Sequence, residues 1–148
     1  MNWTKDKSIV LSMVCVAVFA AVLLVLDIGA FRLIPWYCDF RSMPSAAAKM
    51  TATLYTASVF GWICLYALWK LLRNINAGSV FTKENVRLLR RISWTMAGAA
   101  AVFFASGFYY IPFLFIAAAA AFMMLILRVV KNVFQQAVEM KSELDLTI

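Results

Sequence analysis

The chain has 148 residues, of which 65% are hydrophobic and 14% are charged, and its formal net charge at pH 7 is +7. A soluble domain carries about 25% charged residues, and so short a chain has no interior large enough for this much apolar surface, so we expect one membrane domain over residues 1–148. The positive charge fits loops that face anionic lipid head groups, and we expect no direct binding of nucleic acid.

The first apolar run covers about residues 8–28 and follows Lys5 and Lys7. Crossing about 30 Å of hydrocarbon takes about 20 apolar residues, so this run is long enough to span. A signal peptide would have a shorter apolar part and a small-x-small cleavage site, so we expect a retained helix. Asp27 ends this predicted helix, and its carboxylate either lies in interfacial water or serves an ion pathway.

Residues 30–49 are predicted to form an outer loop. Pro35 and Pro44 argue against one continuous helix, and aromatic side chains such as Trp36 settle at the level of the lipid head groups. We expect a lid on the membrane surface, with a binding role on the outer face as the alternative. Cys38 lies in this loop as a free thiol or paired with a partner chain. The three cysteines have no CxxC spacing and indicate neither a metal site nor a disulfide framework.

The second predicted span, residues 50–72, carries small side chains every fourth residue at Thr53, Ala57 and Gly61. Helices in lipid associate by close backbone packing along such stripes. The three residues are therefore candidate helix-packing residues, either within the bundle or between two copies of the chain. The motif is only weakly specific for a homo-oligomer.

A basic bridge over residues 73–89 follows, and loops rich in Lys and Arg stay on the cytoplasmic side. Gly78 is predicted to end the second helix in a left-handed conformation. Thr82 is a predicted N-cap of the next helix, with Glu84 in its first turn. Four cations are candidate contacts for a partner or for lipid head groups: Lys83, Arg87, Arg90 and Arg91.

The last apolar stretch, residues 92–127, is too long for one crossing and fits two. Gly107 permits the turn between them and Pro112 suits a helix start, so the third and fourth spans are predicted at about residues 90–108 and 112–131. An amphipathic cytosolic tail covers residues 132–148. Eleven of the fourteen Lys and Arg residues then lie inside. The fold class is therefore an all-α four-transmembrane-helix bundle with both termini cytoplasmic and amphipathic cytosolic helix extensions.

Two cytosolic segments resemble a bacterial family of small four-helix membrane proteins, the domain of unknown function 2975 family. The matching residues of the first segment are Gly78, Phe81, Thr82, Glu84, Asn85, Leu89, Arg90 and Ile92. Those of the second are residues 128–134, Ala137 and residues 143–148, where Leu144 stands at a position expected to be polar. The resemblance implies a multi-pass protein of the bacterial cytoplasmic membrane. The resemblance supplies no catalytic residues. Members of this family often occur beside a small helix-turn-helix regulator.

Catalytic chemistry is not expected in this chain. Histidine is absent, and no Gly-rich phosphate loop, HExxH or GxSxG motif occurs, so we expect neither an enzyme nor a cofactor. We expect a non-enzymatic interaction or regulatory protein whose bridge and tail face a cytosolic partner such as that regulator. The alternatives are an oligomeric transport or channel component and, less favoured, an immunity protein against a membrane-acting peptide.

Overall fold

The computed structural model describes residues 3–147, with side chains from Asp6 onward. Met1, Asn2 and Ile148, at the limits of the predicted domain and tail, lie outside the described residues, as does the side chain of Lys5. The described chain is all-α, as predicted. The helices are α1 (Trp3–Phe40), a short 3-10 helix (Pro44–Ala46), α2 (Ala47–Asn76), α3 (Lys83–Ser106) and α4 (Pro112–Thr147).

Consecutive helices pack against one another and run antiparallel. Near the start of α2, Thr53 Oγ1 lies 2.7 Å from Ser106 Oγ at the end of α3. Toward the end of α2, Leu71 lies in the same buried cluster as Leu88 near the start of α3. α3 therefore runs back along most of the length of α2. α4 packs against α3, while α1 packs against α2 and the 3-10 helix.

Buried side chains are few, and eight of the apolar ones form two hydrophobic clusters, one at each end of the helices. One cluster joins Ala67 and Leu71 of α2 to Leu88, Leu89 and Ile92 of α3. The other joins Cys38, Ala46 and Met50, with the tyrosines of the α3–α4 turn packed against it. Many large apolar side chains elsewhere are exposed, which fits helices whose solvent is hydrocarbon.

Three helical segments are long and apolar enough to cross a membrane, namely Asp6–Phe40, Pro44–Asn76 and Pro112–Thr147. These segments indicate a membrane protein. α3 does not meet the same criterion, because the first three turns of this helix carry the cations of the predicted bridge.

The predicted outer lid is wrong for most of its length. α1 neither ends at Asp27 nor breaks at Pro35, and it continues to Phe40 with that proline inside the helix. A proline costs a helix one backbone hydrogen bond, but membrane helices tolerate it where neighbouring structure compensates. Here Ala30 and Cys38 are buried, so packing against α2 and the 3-10 helix outweighs the local penalty. The irregular chain is limited to residues 41–43.

The predicted helix signals between α2 and α4 are confirmed. Gly78 has a φ of +85°, and the side chain of Thr82 caps α3 by accepting a hydrogen bond from the Asn85 amide. α4 begins at Pro112. The helices are longer than the predicted spans, because the basic lead-in at residues 83–89 is continuous with α3 and the tail remains helical to Thr147.

Candidate functional site

A buried asparagine fixes the turn between α2 and α3. Asn85 has no exposed surface, and its Nδ2 donates hydrogen bonds of 2.7 Å to the carbonyl oxygens of Ser79 and Val80. Its Oδ1 accepts a hydrogen bond of 2.9 Å from Asn74 Nδ2. Since the two carbonyl groups only accept, the amide nitrogen must face them. One side chain thus ties the turn to both helices.

The backbone of the same turn closes the end of α2. The amide of Ser79 donates to the carbonyl of Asn74 and the amide of Gly78 to that of Ile75, each over 3.0 Å. This is the Schellman pattern, which needs a left-handed residue at the position of Gly78. The start of α3, which carries the predicted cationic contacts, is therefore held in a fixed position relative to α2.

Three of the four predicted contacts lie together on α3. Lys83, Arg87 and Arg90 recur at spacings of four and three residues, so they share one helix face. They line a groove of about 250 Å³ between α3 and the extension of α4. We call this groove the basic groove. Its other lining residues are Val86, Gln135, Val138 and Glu139. Arg91, the fourth predicted contact, is exposed but does not line it.

The basic groove carries more positive than negative charge. Glu139 is the acid among its lining residues, and Gln135 donates a hydrogen bond of 3.3 Å to its Oε1. None of Lys83, Arg87 and Arg90 forms an ion pair with a described side chain. An exposed ion pair of 2.8 Å lies beside the groove, between Lys70 on α2 and Glu84 on α3. The guanidinium groups thus remain available to an anion, for which their planar fork suits carboxylate and phosphate.

The tail of α4 extends the groove toward the C-terminus. A neighbouring open depression is lined by Lys83 and Val138, which it shares with the groove, and by Lys141 and Asp145. The tail carboxylate of Asp145 therefore lies beside the basic bridge without pairing with a described cation. Among the side chains from Asp6 to Thr147, no group of three or more His, Cys, Asp and Glu residues is arranged to hold a metal ion.

Two residues of the predicted small-residue stripe on α2 lie against other helices of the same chain. Thr53 is buried and contacts Ser106 of α3. A Cβ atom placed on Gly61 would lie 3.2 Å from Leu23 on α1. Ala57, between them, is half-buried. Thr53 and Gly61 therefore lie at contacts of α2 with α3 and with α1 within one chain.

A polar cluster between α1 and α2 was not expected from the sequence. Because α1 continues past Asp27, this carboxylate lies along the helix pair instead of at a helix end. Ser58 Oγ donates to its Oδ1, and Trp62 Nε1 donates to its Oδ2 over 2.9 Å. Tyr55 donates to the backbone carbonyl of the same residue over 2.9 Å. Tyr55, Ser58 and Trp62 recur on one face of α2, and that spacing is the signal that could have revealed the cluster.

Tyrosines close the opposite end of the molecule from the basic groove. The hydroxyl groups of Tyr37 and Tyr110 lie 2.7 Å apart, and this hydrogen bond raises the pKa of Tyr110 above that of an ordinary phenol. Arg41 Nε donates to the Tyr37 hydroxyl over 3.4 Å, and this contact raises the pKa of Arg41. These hydrogen bonds join α1 to the turn between α3 and α4. In the described chain, α1 forms no helix–helix interface with either of those two helices.

Comparison with known proteins identifies the family of this chain and no individual relative. The model of a family described as a protein of unknown function (DUF2975) matches residues 8–148. The match includes both segments that carry the resemblance noted in the sequence, and it confirms that resemblance. No curated protein and no solved structure gave a significant match.

Proposed function

The chain belongs to the DUF2975 family, and we propose that it is a non-enzymatic membrane protein that docks an anionic cytosolic partner in its basic groove. One observation carries this proposal. Lys83, Arg87 and Arg90 converge on one groove without ion pairs to described acids. The Asn85 hydrogen bonds hold the start of α3, which carries these three cations, in place relative to α2. Because the backbone that carries these cations is already ordered, binding of an anion costs mainly the ordering of the three side chains.

The proposal includes a topology in which all four helices cross the bacterial cytoplasmic membrane and both termini are cytoplasmic. α3 is less apolar than the others, but it lies antiparallel between α2 and α4. The contact of Thr53 with Ser106 and the cluster that contains Leu71 and Leu88 support a full crossing, because they match the two ends of α3 to the two ends of α2. The excess of cations around the α2–α3 turn supports a cytoplasmic position for that end.

The partner that we propose is a small cytosolic protein with an acidic helix, and a helix-turn-helix regulator would suit the family context. Val86 and Val138 give the groove an apolar component beside its cations. A groove between two helices that combines apolar and cationic side chains suits an amphipathic helix that carries acidic residues. Anionic lipid head groups are the competing ligand for the same cations.

The test is co-purification with crosslinking from membranes of cells that express the tagged chain. The double variant Arg87→Glu/Arg90→Glu should lose the cytosolic partner by more than about ten-fold, because two attractions become repulsions. Arg73→Glu is the matched control, since Arg73 is exposed near the same end but does not line the groove. Equal recovery of a partner with both variants contradicts the proposal. Loss of anionic lipid instead of protein would assign the groove to the membrane.

A second function, a transport or channel component, is favoured by one observation, the Asp27 cluster. In the proposed topology, Ser58 lies eight residues after the start of the predicted second span at residue 50, so the Asp27 carboxylate would lie about 12 Å inside the membrane. Carboxylates at such depth often mark ion pathways. This function predicts ion flux in reconstituted vesicles that Asp27→Asn abolishes, with Asp39→Asn as the exposed control. Vesicles without flux would contradict it and leave the docking proposal intact.

A further inference from the structure

An apolar cavity of about 270 Å³ lies between the four helices, at the end opposite the basic groove. Leu26, Ala30 and Leu33 of α1 form one wall. Leu54 of α2, Phe103 of α3 and Phe113 of α4 form the others. The cavity is partly open, and it exists because α1 packs against α2 and meets the other two helices only around the α3–α4 turn.

Water is a poor occupant for this cavity. Tyr37 and Thr53 supply the hydroxyl groups of its lining, and both already have partners. Tyr37 lies 2.7 Å from the hydroxyl of Tyr110, and Thr53 lies 2.7 Å from that of Ser106. A buried water needs two to four polar partners, and cavities without them stay dry or take apolar ligands. The lining therefore suits hydrocarbon.

Two exposed cations lie beside the residues that close this end. Arg41 Nε is 3.4 Å from the Tyr37 hydroxyl, and Lys49 Nζ is 6.0 Å from the centre of the Tyr109 ring. Neither cation forms an ion pair with a described acid, although Asp39 is exposed nearby in sequence. An apolar cavity next to two available cations matches a molecule with an alkyl chain and an anionic head group.

We propose that the cavity binds one acyl chain of an anionic phospholipid, whose phosphate contacts Arg41 and Lys49. The source of the ligand is the surrounding bilayer, because α1 and α2 are among the segments able to cross a membrane. Exposed α1 side chains such as Val25 and Phe31 also face that solvent. Arg and Lys near a membrane surface attract anionic lipid by about 1 kcal/mol each. The outer end of the molecule would then have a lipid-binding function. This function does not depend on the proposed role of the basic groove.

The experiment is native mass spectrometry of the full chain, stripped in detergent and then exchanged with vesicles of phosphatidylglycerol and phosphatidylcholine. The wild type should retain one phosphatidylglycerol. Ala30→Phe fills the cavity, because Ala30 is only 2% exposed within the lining, and should lower retention at least five-fold. If that variant does not fold, Leu33→Trp is the alternative, since this lining side chain is half exposed and tolerates enlargement.

The control variants test the contributions of the acyl chain and of the head group to binding separately. Ala118→Phe makes the same chemical change on an exposed face of α4 and should leave retention unchanged. Arg41→Gln and Lys49→Gln should each reduce the preference for phosphatidylglycerol about five-fold while phosphatidylcholine still binds. Equal retention by the filled and control variants overturns the proposal, as does a wild type that recruits a second copy of the chain instead of lipid. An unchanged lipid preference in both Gln variants overturns the role of the two cations.

Discussion

The indole Nε1 of Trp62 donates a hydrogen bond of 2.9 Å to the Oδ2 of Asp27, across the interface of α2 and α1. Ser58, one turn earlier on α2, donates to the other carboxylate oxygen. A single acid on α1 is thus held by two donors on α2. α1 has few other polar contacts with the remaining helices, so this cluster is a principal determinant of where α1 lies.

Removing the carboxylate should loosen α1 from α2. A double-mutant cycle with Asp27→Ala and Ser58→Ala should give a coupling energy of about 0.6 kcal/mol, the average measured for hydrogen bonds between membrane helices, and at most about 1.7 kcal/mol. The measurement is the free energy of unfolding in mixed detergent micelles. Thr56→Ala is the control, because the Thr56 hydroxyl donates its hydrogen bond to the carbonyl oxygen of Ala52 within α2. A coupling energy near zero would mean that packing alone positions α1.

Loss of the Asn85 side chain should destabilise the turn between α2 and α3. Asn85→Ala leaves the carbonyls of Ser79 and Val80 and the amide of Asn74 without their partner, which costs about 1–3 kcal/mol. Amide hydrogen exchange over residues 77–82 should accelerate as the turn opens. Asn132→Ala, at an exposed position of α4, should change neither stability nor exchange. Unaltered exchange in the Asn85 variant would contradict the assigned role.

Sequence reasoning succeeded where local chemistry decides the structure. Gly78, Thr82 and Pro112 mark helix ends through backbone geometry and capping that involve only nearby residues. It failed at Asp27 and Pro35, because the continuation of α1 depends on packing against α2 and the 3-10 helix. The penalty of one proline is local and visible in a sequence, whereas the compensating contacts are not.

The basic groove shows the same difference between what local chemistry predicts and what depends on packing. The cations of α3 were predicted as contacts from their charge and their position between apolar runs. The tail was predicted to face the same partner as the bridge. Its packing against α3 was not predicted, because Gln135, Val138 and Glu139 meet α3 only when the two helices pack as an antiparallel pair. The stripe of Thr53, Ala57 and Gly61 was likewise visible in the sequence, but the neighbours that it contacts were not.

Alkaline pH should weaken the link between α1 and the α3–α4 turn. The hydrogen bond with Tyr37 raises the pKa of Tyr110, so the bond stabilises the protonated phenol. Its contribution is complete below the ordinary phenol pKa of about 10 and is lost as pH rises through the higher pKa of the folded state. In Tyr37→Phe, the ultraviolet titration of Tyr110 should move toward the ordinary value. Tyr66→Phe, on an exposed part of α2, is the control. A Tyr110 titration that Tyr37→Phe leaves unchanged would contradict the link.

The absence of a side chain at Gly98 allows α3 to approach α2 closely. A Cβ atom at this position would lie 2.8 Å from two ring atoms of Phe60, well inside van der Waals contact. Gly98→Ala should therefore destabilise the protein by about 1–3 kcal/mol through overpacking, partly offset by the better helix propensity of Ala, at most about 1 kcal/mol. The measurement is again unfolding in mixed micelles.

A second substitution distinguishes this steric effect from a general intolerance of α3 to change. Phe60→Leu removes the ring and leaves a shorter side chain that can move away from residue 98. Gly98→Ala should then cost less in the Phe60→Leu background than in the wild type, which is a favourable coupling between the two changes. If the cost of Gly98→Ala is the same in both backgrounds, the ring of Phe60 does not set the distance between the two helices, and the glycine acts through the helix backbone alone.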